Sequence, residues 1–318
     1  MSRLPSDVAR ARRLIGVGVV GAVISGFVLA GASAQEAQPQ PTIERAPSKL
    51  GFAKALTIRG QLENGAAGDL VSLQRTTPSD SWTNVRTAPV DDDLEVRFRL
   101  KSVRKSARYR LLFAGTSGAL ADDGEETLST SSGVLVRVKP KLTLRVRPRH
   151  VMAGRSVRVK GVLRPHSSGR RVTIKRRAGD GWATMARPRV KEGRFSTRMS
   201  VAGSTRSRVK AVFRGDGTNT GAVRSRRVVV YDPDLATWYG PGLYGNRTAC
   251  GQTLGYETVG VAHRTLPCGT KVGILYQGRS ITVRVIDRGP FGSAEWDLTR
   301  GAAARLGFSG SGTVGTVH

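Results

Sequence analysis

The chain has 318 residues, 39% of them hydrophobic, and a formal net charge of +29. This length exceeds a single ordinary domain and predicts two or three, each with its own core. With two cysteines and four unclustered histidines, the composition argues against a closed structural zinc site, which needs four ligands. We expect no metal and no other cofactor.

The first 34 residues have the pattern of an export signal. Several arginines precede an unbroken apolar run at residues 14–30, and Ala32-Ser33-Ala34 is a small-residue cleavage pattern. We expect a mature start near Gln35, a location outside the cytoplasm, and no membrane span after cleavage. The alternative is an uncleaved amino-terminal anchor, because the apolar run approaches spanning length.

Residues 35–48 are rich in Pro, Gln and Ala and show no apolar period. This composition is typical of a flexible linker, because it offers no face that a core could bury. The segment is therefore predicted to be a tether between the signal and the first folded domain.

Residues 49–231 contain an internal repeat, with equivalent positions 100 or 101 residues apart. The matched pieces are Leu56–Leu62 with Val157–Leu163, Gly68–Arg75 with Gly169–Arg176, Trp82 with Trp182, and Phe113–Gly115 with Phe213–Gly215. Two copies of one module, at residues 49–139 and 140–231, are therefore predicted.

Each copy consists of short alternating segments separated by turn residues such as Asn64-Gly65 and Gly179-Asp180-Gly181. This pattern indicates an all-β sandwich. The arrangement resembles the immunoglobulin-like modules of bacterial surface proteins, which implies a spacer function. We interpret Trp82 and Trp182 as packing residues because a tryptophan buries a large area. Pro233 is expected to end the last strand of the second copy.

Most of the positive charge lies in the second copy. Residues 140–231 hold 25 Lys and Arg against 3 Asp and Glu, a net charge of +22, whereas residues 232–318 carry only +2. In an exported protein such a region is expected to meet anionic cell-wall polymers or lipid head groups rather than nucleic acid. The alternative is a solvated basic surface with no specific partner.

The region after residue 231 differs in composition and contains both cysteines, Cys250 and Cys268. An oxidising compartment favours a disulfide between them. Trp238, Tyr239 and Tyr244 lie among glycines. Such aromatic side chains suit sugar stacking and the packing of a small barrel equally well.

Residues 280–287 predict a strand, because Ile281, Val283 and Val285 alternate with the residues between them. Gly289 and Pro290 favour a turn immediately afterwards. Asp287 therefore lies at the rim of a sheet. There it is either a catalytic carboxylate or part of an ordinary turn fixed by local hydrogen bonds with Arg288.

Residues 236–317 resemble the RlpA-like double-psi β-barrel family, related in fold to expansins and barwin-type proteins. The resemblance rests on five ordered motifs: Ala236–Gly240, Thr248–Gln252, Val261–Thr270, Val283–Phe291 and Trp296–Gly307. It implies that residues 232–318 form a six-stranded closed barrel after two immunoglobulin-like sandwiches, a mainly-β protein. It also implies a groove for a polysaccharide.

The resemblance further implies a lytic transglycosylase that cuts peptidoglycan glycan strands. Asp287 matches the catalytic aspartate of the family, which acts first as acid and then as base, and His263 matches a histidine lining the groove. His263 could equally be a satisfied structural residue. We include Thr248, Gln252 and Arg288 among the groove candidates.

Gln252 occupies the position at which active members of the family carry a glutamate. A carboxamide does not exchange a proton at neutral pH. Two hypotheses therefore remain: Asp287 alone serves as acid and base, with Gln252 positioning the sugar, or the domain binds or loosens the wall without cleavage, as expansins do. Glu257, five residues on, is a third source of a carboxylate.

Residues 297–307 predict a helix, because Leu298, Ala302 and Leu306 fall at helical spacing and Gly307 follows. Asp297 or Thr299 would cap its first turn. We therefore interpret Asp297 as a structural residue.

Overall fold

The computed structural model describes residues 37–77, 80–115, 129–167 and 169–318. The expected signal at residues 1–34 lies outside the described residues. Within them the chain is almost entirely β, with one short helix, which confirms the predicted mainly-β fold. No helix in these ranges is both long enough and apolar enough to cross a membrane.

The first sandwich contains two sheets with strand orders β1-β3-β6 and β2-β8-β7-β4-β5. Alternate residues of both sheets are buried in one core around Leu56, Phe98 and Tyr109, because successive side chains of a strand point to opposite faces. The strands are β1 Gln40–Arg45, β2 Lys49–Gly51, β3 Lys54–Glu63, β4 Leu70–Thr76, β5 Thr83–Pro89, β6 Glu95–Val103, β7 Ala107–Phe113 and β8 Val134–Lys139.

The expectation of a flexible tether at residues 35–48 is wrong for its central part. Strand β1 pairs antiparallel with β3, from Gln40 opposite Glu63 to Arg45 opposite Arg59. Within this strand only Pro41 is fully buried. One buried position does not require a repeating apolar pattern, so the sequence shows none. Backbone pairing with an existing sheet, rather than a hydrophobic face, makes it a strand.

The second sandwich repeats this topology. The strands β9 and β10 pair with β12, which pairs with β15, and the facing sheet has the order β11-β17-β16-β13-β14. Its core surrounds Leu163, Ile174 and Phe195. The strands are β9 Lys141–Leu142, β10 Arg145–Arg147, β11 His150–Met152, β12 Ser156–Arg164, β13 Thr173–Ala178, β14 Gly181–Ala186, β15 Arg194–Ser200, β16 Thr205–Phe213 and β17 Ala222–Tyr239.

The two repeat tryptophans are half-buried and each carries a cation over its ring. The Arg110 guanidinium lies 4.3 Å from the Trp82 ring centroid, and the Lys210 ammonium lies 3.8 Å from that of Trp182. Both cations come from equivalent positions of the repeat, on β7 and β16. Assignment of these sandwiches to the immunoglobulin-like class stays a prediction.

The turn between β16 and β17 joins the two sandwiches. Asn219 is buried and donates through Nδ2 to the carbonyl oxygens of Arg104 and Val138 at 3.0 and 3.2 Å. Arg170 is 5% exposed and bonds Asp216, Thr218 and Asn219 of the same turn. These polar contacts fasten the turn of the second sandwich to the end of the first.

Strand β17 continues without a break into a closed barrel. Its first part pairs with β16 and its last part with β21 and β22. Pro233 therefore does not end the strand, contrary to the sequence prediction. At Pro233 the strand has left β16 and has not yet met β21, so it has a paired neighbour, β22, on one side only. A proline is tolerated at such an edge position.

The barrel has the cyclic strand order β17-β21-β18-β20-β19-β22, and β22 returns to β17. This closed ring of six strands confirms the predicted barrel. Its core contains Ile274, Trp296 and Leu298. The additional elements are β18 Val261–Ala262, β19 Lys271–Tyr276, β20 Arg279–Asp287, β21 Trp296–Thr299, α1 Arg300–Leu306 and β22 Gly312–Val317.

Helix α1 begins where the sequence predicted a cap. Thr299 accepts the N–H of Ala302 through its hydroxyl, and Gly307 ends the helix at φ 70, a left-handed conformation that favours glycine. Leu298 and Asp297 belong instead to β21, because they pair with β17 and β18. The predicted helix is therefore confirmed only from residue 300 onward.

The barrel also contacts the second sandwich beside β17. Tyr231, Leu275 and Val317 form a small buried cluster with Met152 and Val229 against it. The Tyr231 hydroxyl lies 2.6 Å from Nδ1 of His150. Apolar contact and a continuous strand thus connect the barrel to the sandwich.

Candidate functional site

Two aspartates lie at one end of the barrel on strands that flank β18. Ala262 of β18 is the ladder partner of Asp287 on β20 and of Asp297 on β21. The two strands on either side of β18 are two strand spacings apart, about 10 Å, and the charge of Asp287 still acts on the Asp297 carboxyl group. The strand pattern predicted Asp287 at this rim, but the helix prediction removed Asp297 from it.

The Asp287 carboxylate is held by the backbone. Its Oδ1 accepts the N–H of Ala249 at 2.8 Å and of Arg288 at 2.9 Å. Its own carbonyl oxygen accepts the N–H of His263 at 3.2 Å. Asp287 therefore ties three loops together, and its Oδ1 is fixed in position.

Asp297 is the more protected carboxyl group. Its Oδ1 accepts the hydroxyl of Thr237 at 2.8 Å. Burial raises the pKa of Asp297, the hydrogen bond from Thr237 opposes this rise, and the negative charge of Asp287 adds to it. A carboxyl group with a raised pKa retains its proton at higher pH, as a general acid must.

Two buried hydroxyls lie beside these carboxylates, Oη of Tyr239 and Oγ1 of Thr248. Burial raises the pKa of Tyr239, and the charge of Asp287 and a hydrogen bond with its side chain raise it further, so the hydroxyl stays protonated and faces that carboxylate. Oγ1 of Thr248 has no hydrogen-bond partner among the described residues. A buried hydroxyl without a partner is costly, and a hydroxyl-rich ligand could satisfy it.

His263 is fully engaged with the protein. Its Nδ1 accepts the N–H of Thr265 and of Leu266, both at 3.1 Å. Its Nε2 therefore carries the proton and lies 3.0 Å from Oε1 of Glu295. Burial lowers the pKa of His263, although Glu295 opposes the change. The neutral ring thus orders the loop and has no free nitrogen for proton transfer.

Arg264 fixes the loop that follows Asp287. Its Nη1 donates to the carbonyl oxygens of Pro290 and Ala294 at 3.0 and 2.9 Å, and its Nη2 lies 2.5 Å from Oε2 of Glu295. Arg288 turns back and lies 3.5 Å from the sulfur of Cys268. Arg264 thus stabilises the loop by binding its backbone carbonyl groups and the carboxylate of Glu295.

The predicted disulfide is present between Cys250 and Cys268. It joins the loop of Thr248 and Ala249 to the segment after His263. In addition, the N–H of Cys250 donates to the carbonyl oxygen of Ile286 at 3.3 Å. The disulfide therefore holds the loop that donates to Asp287 against the end of β20.

Comparison with known proteins agrees with this geometry. Residues 235–317 match a protein-family model described as lytic transglycolase. The domain is 49% identical over 86 residues to the probable endolytic peptidoglycan transglycosylase RlpA of Synechocystis, covering 26% of each chain. Residues 235–317 form an RlpA-like double-psi β-barrel domain. This chain covers about a quarter of that relative's length.

Two other relatives show the same limited coverage. The endolytic peptidoglycan transglycosylase RlpA of Campylobacter jejuni is 45% identical over 83 residues, which are 25% of this chain and 30% of the relative. That of Pseudomonas aeruginosa is 43% identical over 82 residues, 25% of this chain and 24% of the relative. Each of these matches covers about a quarter of this chain.

Gln252 lies in the disulfide-linked loop of the RlpA-like domain. Its carbonyl oxygen accepts the N–H of Thr248 at 2.8 Å, and the residue is exposed. The structure therefore brings Gln252 into the same loop as Ala249, which contacts Asp287. Glu257 lies elsewhere, 2.9 Å from Nη1 of Arg300, and so is committed to an ion pair.

The aromatic candidates of the RlpA-like domain divide into two groups. Trp238 packs against the barrel core. Tyr244 is half-buried and meets Tyr256 edge to face at 5.4 Å between centroids. Tyr256 is 53% exposed, and Phe291, four residues after Asp287, is 88% exposed. The Arg300 guanidinium lies 3.4 Å from the Tyr256 ring centroid and covers one face of that ring, so Phe291 has the larger free ring surface.

Sequence reasoning missed three residues of this site. Asp297 was assigned to a helix cap, Glu295 was not considered, and Tyr256 was not separated from its loop. The alternation of Trp296 to Thr299, buried except at Asp297, was a strand signal too short to recognise. Among the described residues, no group of three or more His, Cys, Asp or Glu side chains could hold a metal ion.

Proposed function

We propose that this protein is an endolytic transglycosylase that cleaves the glycan strands of peptidoglycan with its RlpA-like domain. The observation that supports it most directly is the Asp287 and Asp297 pair beside the buried hydroxyls of Tyr239 and Thr248. A sugar polymer supplies both the glycosidic oxygen that an acid protonates and the hydroxyl groups that buried donors need.

In the proposed reaction a carboxylic acid protonates the oxygen of the glycosidic bond as the bond to the anomeric carbon breaks. A hydroxyl of the same sugar then attacks that carbon and gives its proton to a carboxylate, so an anhydro-sugar end forms without water. The raised pKa suits Asp297 to the acid step, and the backbone-held Asp287 suits the base step. In this assignment Asp297 supplies the second carboxyl group, which is absent at position 252 because that residue is a glutamine.

The test is digestion of peptide-free peptidoglycan by the full chain, with mass spectrometry of the soluble products. We expect anhydro-muramic ends from wild type and their loss in Asp287→Asn. Asp232→Asn is the matched control, because Asp232 belongs to the barrel portion of β17 but lies away from this pair. Hydrolytic ends instead of anhydro ends would contradict the mechanism.

A second function, binding or loosening of the wall without cleavage, is favoured by the exposed carboxamide of Gln252. Wild type would then sediment with peptidoglycan sacculi and release no product. Product release by wild type therefore separates the two functions. If wild type releases none and Gln252→Glu gains release, the carboxamide of Gln252 is what makes the domain non-catalytic.

We also infer that the protein acts outside the cytoplasm at the cell wall, and that residues 140–231 are attracted there to anionic polymers. Residues 140–231 contain 25 Lys and Arg but only 3 Asp and Glu, and this net positive charge supports the attraction. The signal at residues 1–34 and its cleavage belong to the same proposal. Amino-terminal sequencing of the secreted protein would test them.

A further inference from the structure

Cations of the second sandwich line up across the strands of its smaller sheet. Arg158 of β12 lies opposite Arg147 of β10 and Arg198 of β15. In the next outward-facing row, Lys160 of β12 lies opposite Arg145 of β10. All five are exposed. We call the outer side of β9, β10, β12 and β15 the basic face.

The basic face is concave. A hollow of about 1060 Å³ lies over it, bordered by Arg145, Arg158, Lys160 and Arg164 and by the loop at residues 188–191. A smaller hollow of about 490 Å³ shares Arg145 and Arg158 and extends the first one. The cations therefore border a groove rather than a flat surface.

The protein itself does not neutralise this face. Among the described residues, two of the three acids of the second sandwich are paired elsewhere, Asp216 with Arg170 and Asp180 with Arg177. The third, Glu192, occupies the turn before β15 and makes no ion pair there with a cation of the face. Like charges directly opposite on neighbouring strands destabilise a sheet, so these rows are unfavourable without an external anion.

The first sandwich carries fewer such rows. Its equivalent strands β3 and β6 place Gln61 opposite Glu95 and Thr57 opposite Arg99. Arg59 lies opposite both Arg45 and Arg97, which makes one all-cation row. The first sandwich thus has one all-cation row between two mixed rows, whereas the second has opposed cations in two successive rows.

We propose that the basic face binds a linear wall polymer that carries a phosphodiester in each repeat. Outward residues along one strand are roughly 6.7 Å apart and neighbouring strands about 4.8 Å apart, so the rows meet successive anionic groups of a flexible chain. Arginine binds phosphate oxygens through two N–H donors at once. That the polymer belongs to the cell wall rests on the proposed function. That the basic face binds a phosphodiester polymer does not depend on it.

The test uses the full chain and purified poly(glycerol phosphate), with binding measured by calorimetry. Arg158→Glu with Arg198→Glu reverses one opposed pair on the basic face. Arg59→Glu with Arg97→Glu reverses an opposed pair on the first sandwich and is the matched control. We expect at least about a tenfold loss of affinity in the first variant and less than about threefold in the second.

Salt and competing anions complete the test. Wild-type affinity should fall steeply between about 0.1 and 1 M salt, as the screening length falls from about 10 to 3 Å. Equal losses in the two variants, or no binding by wild type, would overturn the proposal. Single-stranded DNA or phosphatidylglycerol vesicles that bind as tightly, with the same dependence on Arg158 and Arg198, would overturn the choice of polymer.

Glycan cleavage measured on the same samples separates this inference from the proposed function. The basic-face variant should digest soluble peptide-free glycan at the wild-type rate. Polymer binding without cleavage in wild type would reject the proposed function alone. Cleavage without polymer binding would reject only the basic face.

Discussion

Strand β17 passes through two regions that use polar residues in opposite ways. Its first part exposes Arg224, Arg226 and Arg227 to solvent in the second sandwich. Its last part brings Thr237 and Tyr239 into contact with, or close to, the carboxylates of the barrel. One strand thus connects a surface of exposed charge to a site of half-buried acids.

The difference lies in what water does to each group. Exposed cations retain their charge and act over a distance that salt shortens. Buried carboxyl groups lose hydration, and their protonation changes with each neighbour. The sandwich is therefore suited to attraction of a polyanion, and the barrel to proton transfer at one bond.

Removal of the half-buried acid Asp297 should have the largest effect. Asp297→Asn is expected to lower glycan cleavage about 10²- to 10⁴-fold, the contribution usual for general acid catalysis. Thr237 can still donate to the new carboxamide oxygen, so the fold should persist. Product release is measured by mass spectrometry, and an activity within twofold of wild type would show that Asp297 is structural, as the sequence suggested.

Burial should also determine how much each cation of the second sandwich contributes to the free energy of unfolding. Arg170→Ala leaves Asp216 and Asn219 without their partner and should cost about 3 to 5 kcal/mol of unfolding free energy. Arg158→Ala removes an exposed cation among like charges and should change stability by less than about 0.5 kcal/mol. Urea unfolding compares them, and equal costs would refute the distinction.

Loss of the disulfide should have a somewhat smaller effect. Cys250 and Cys268 are 18 residues apart, so Cys250→Ser with Cys268→Ser should lower the unfolding free energy of the barrel by about 3 kcal/mol. A reductant should reproduce the loss in wild type and leave the double variant unchanged. A reductant-sensitive double variant would point to another cause.

The smallest expected effect is on the pH dependence of stability. Because the pKa of Asp297 is raised in the folded state, the folded protein binds more protons than the unfolded one above the ordinary aspartate pKa. Stability therefore falls as pH rises through that window. Asp297→Asn should remove this fall, so the stability of the variant relative to wild type increases as pH rises above the ordinary aspartate pKa of about 4.

Thermal unfolding at a series of pH values measures this difference. An advantage of the variant that stays constant with pH would show that Asp297 titrates normally. The same series on Asp232→Asn serves as the control, since that residue is not part of the carboxylate pair.

Much of the fold follows from local patterns in the sequence. Alternation of apolar residues indicated β20 and the sandwich strands, the repeat spacing indicated two equivalent units, and Thr299 and Gly307 marked the ends of the helix. The errors occurred at Gln40–Arg45, Pro233 and Leu298. In each case pairing with a distant strand decided the structure, and no local pattern records that pairing.

By itself, the sequence determined the chemical inventory of this protein: an excess of cations in residues 140–231, one pair of cysteines, Asp287 at the end of a strand, and Gln252 in place of a carboxylate. Only the tertiary structure decided how these groups act. It placed Asp297 across Ala262 from Asp287 and committed both nitrogens of His263 to the protein. It also aligned Arg147, Arg158 and Arg198 in one row, because burial and distance between strands depend on the closure of sheets rather than on neighbours in the chain.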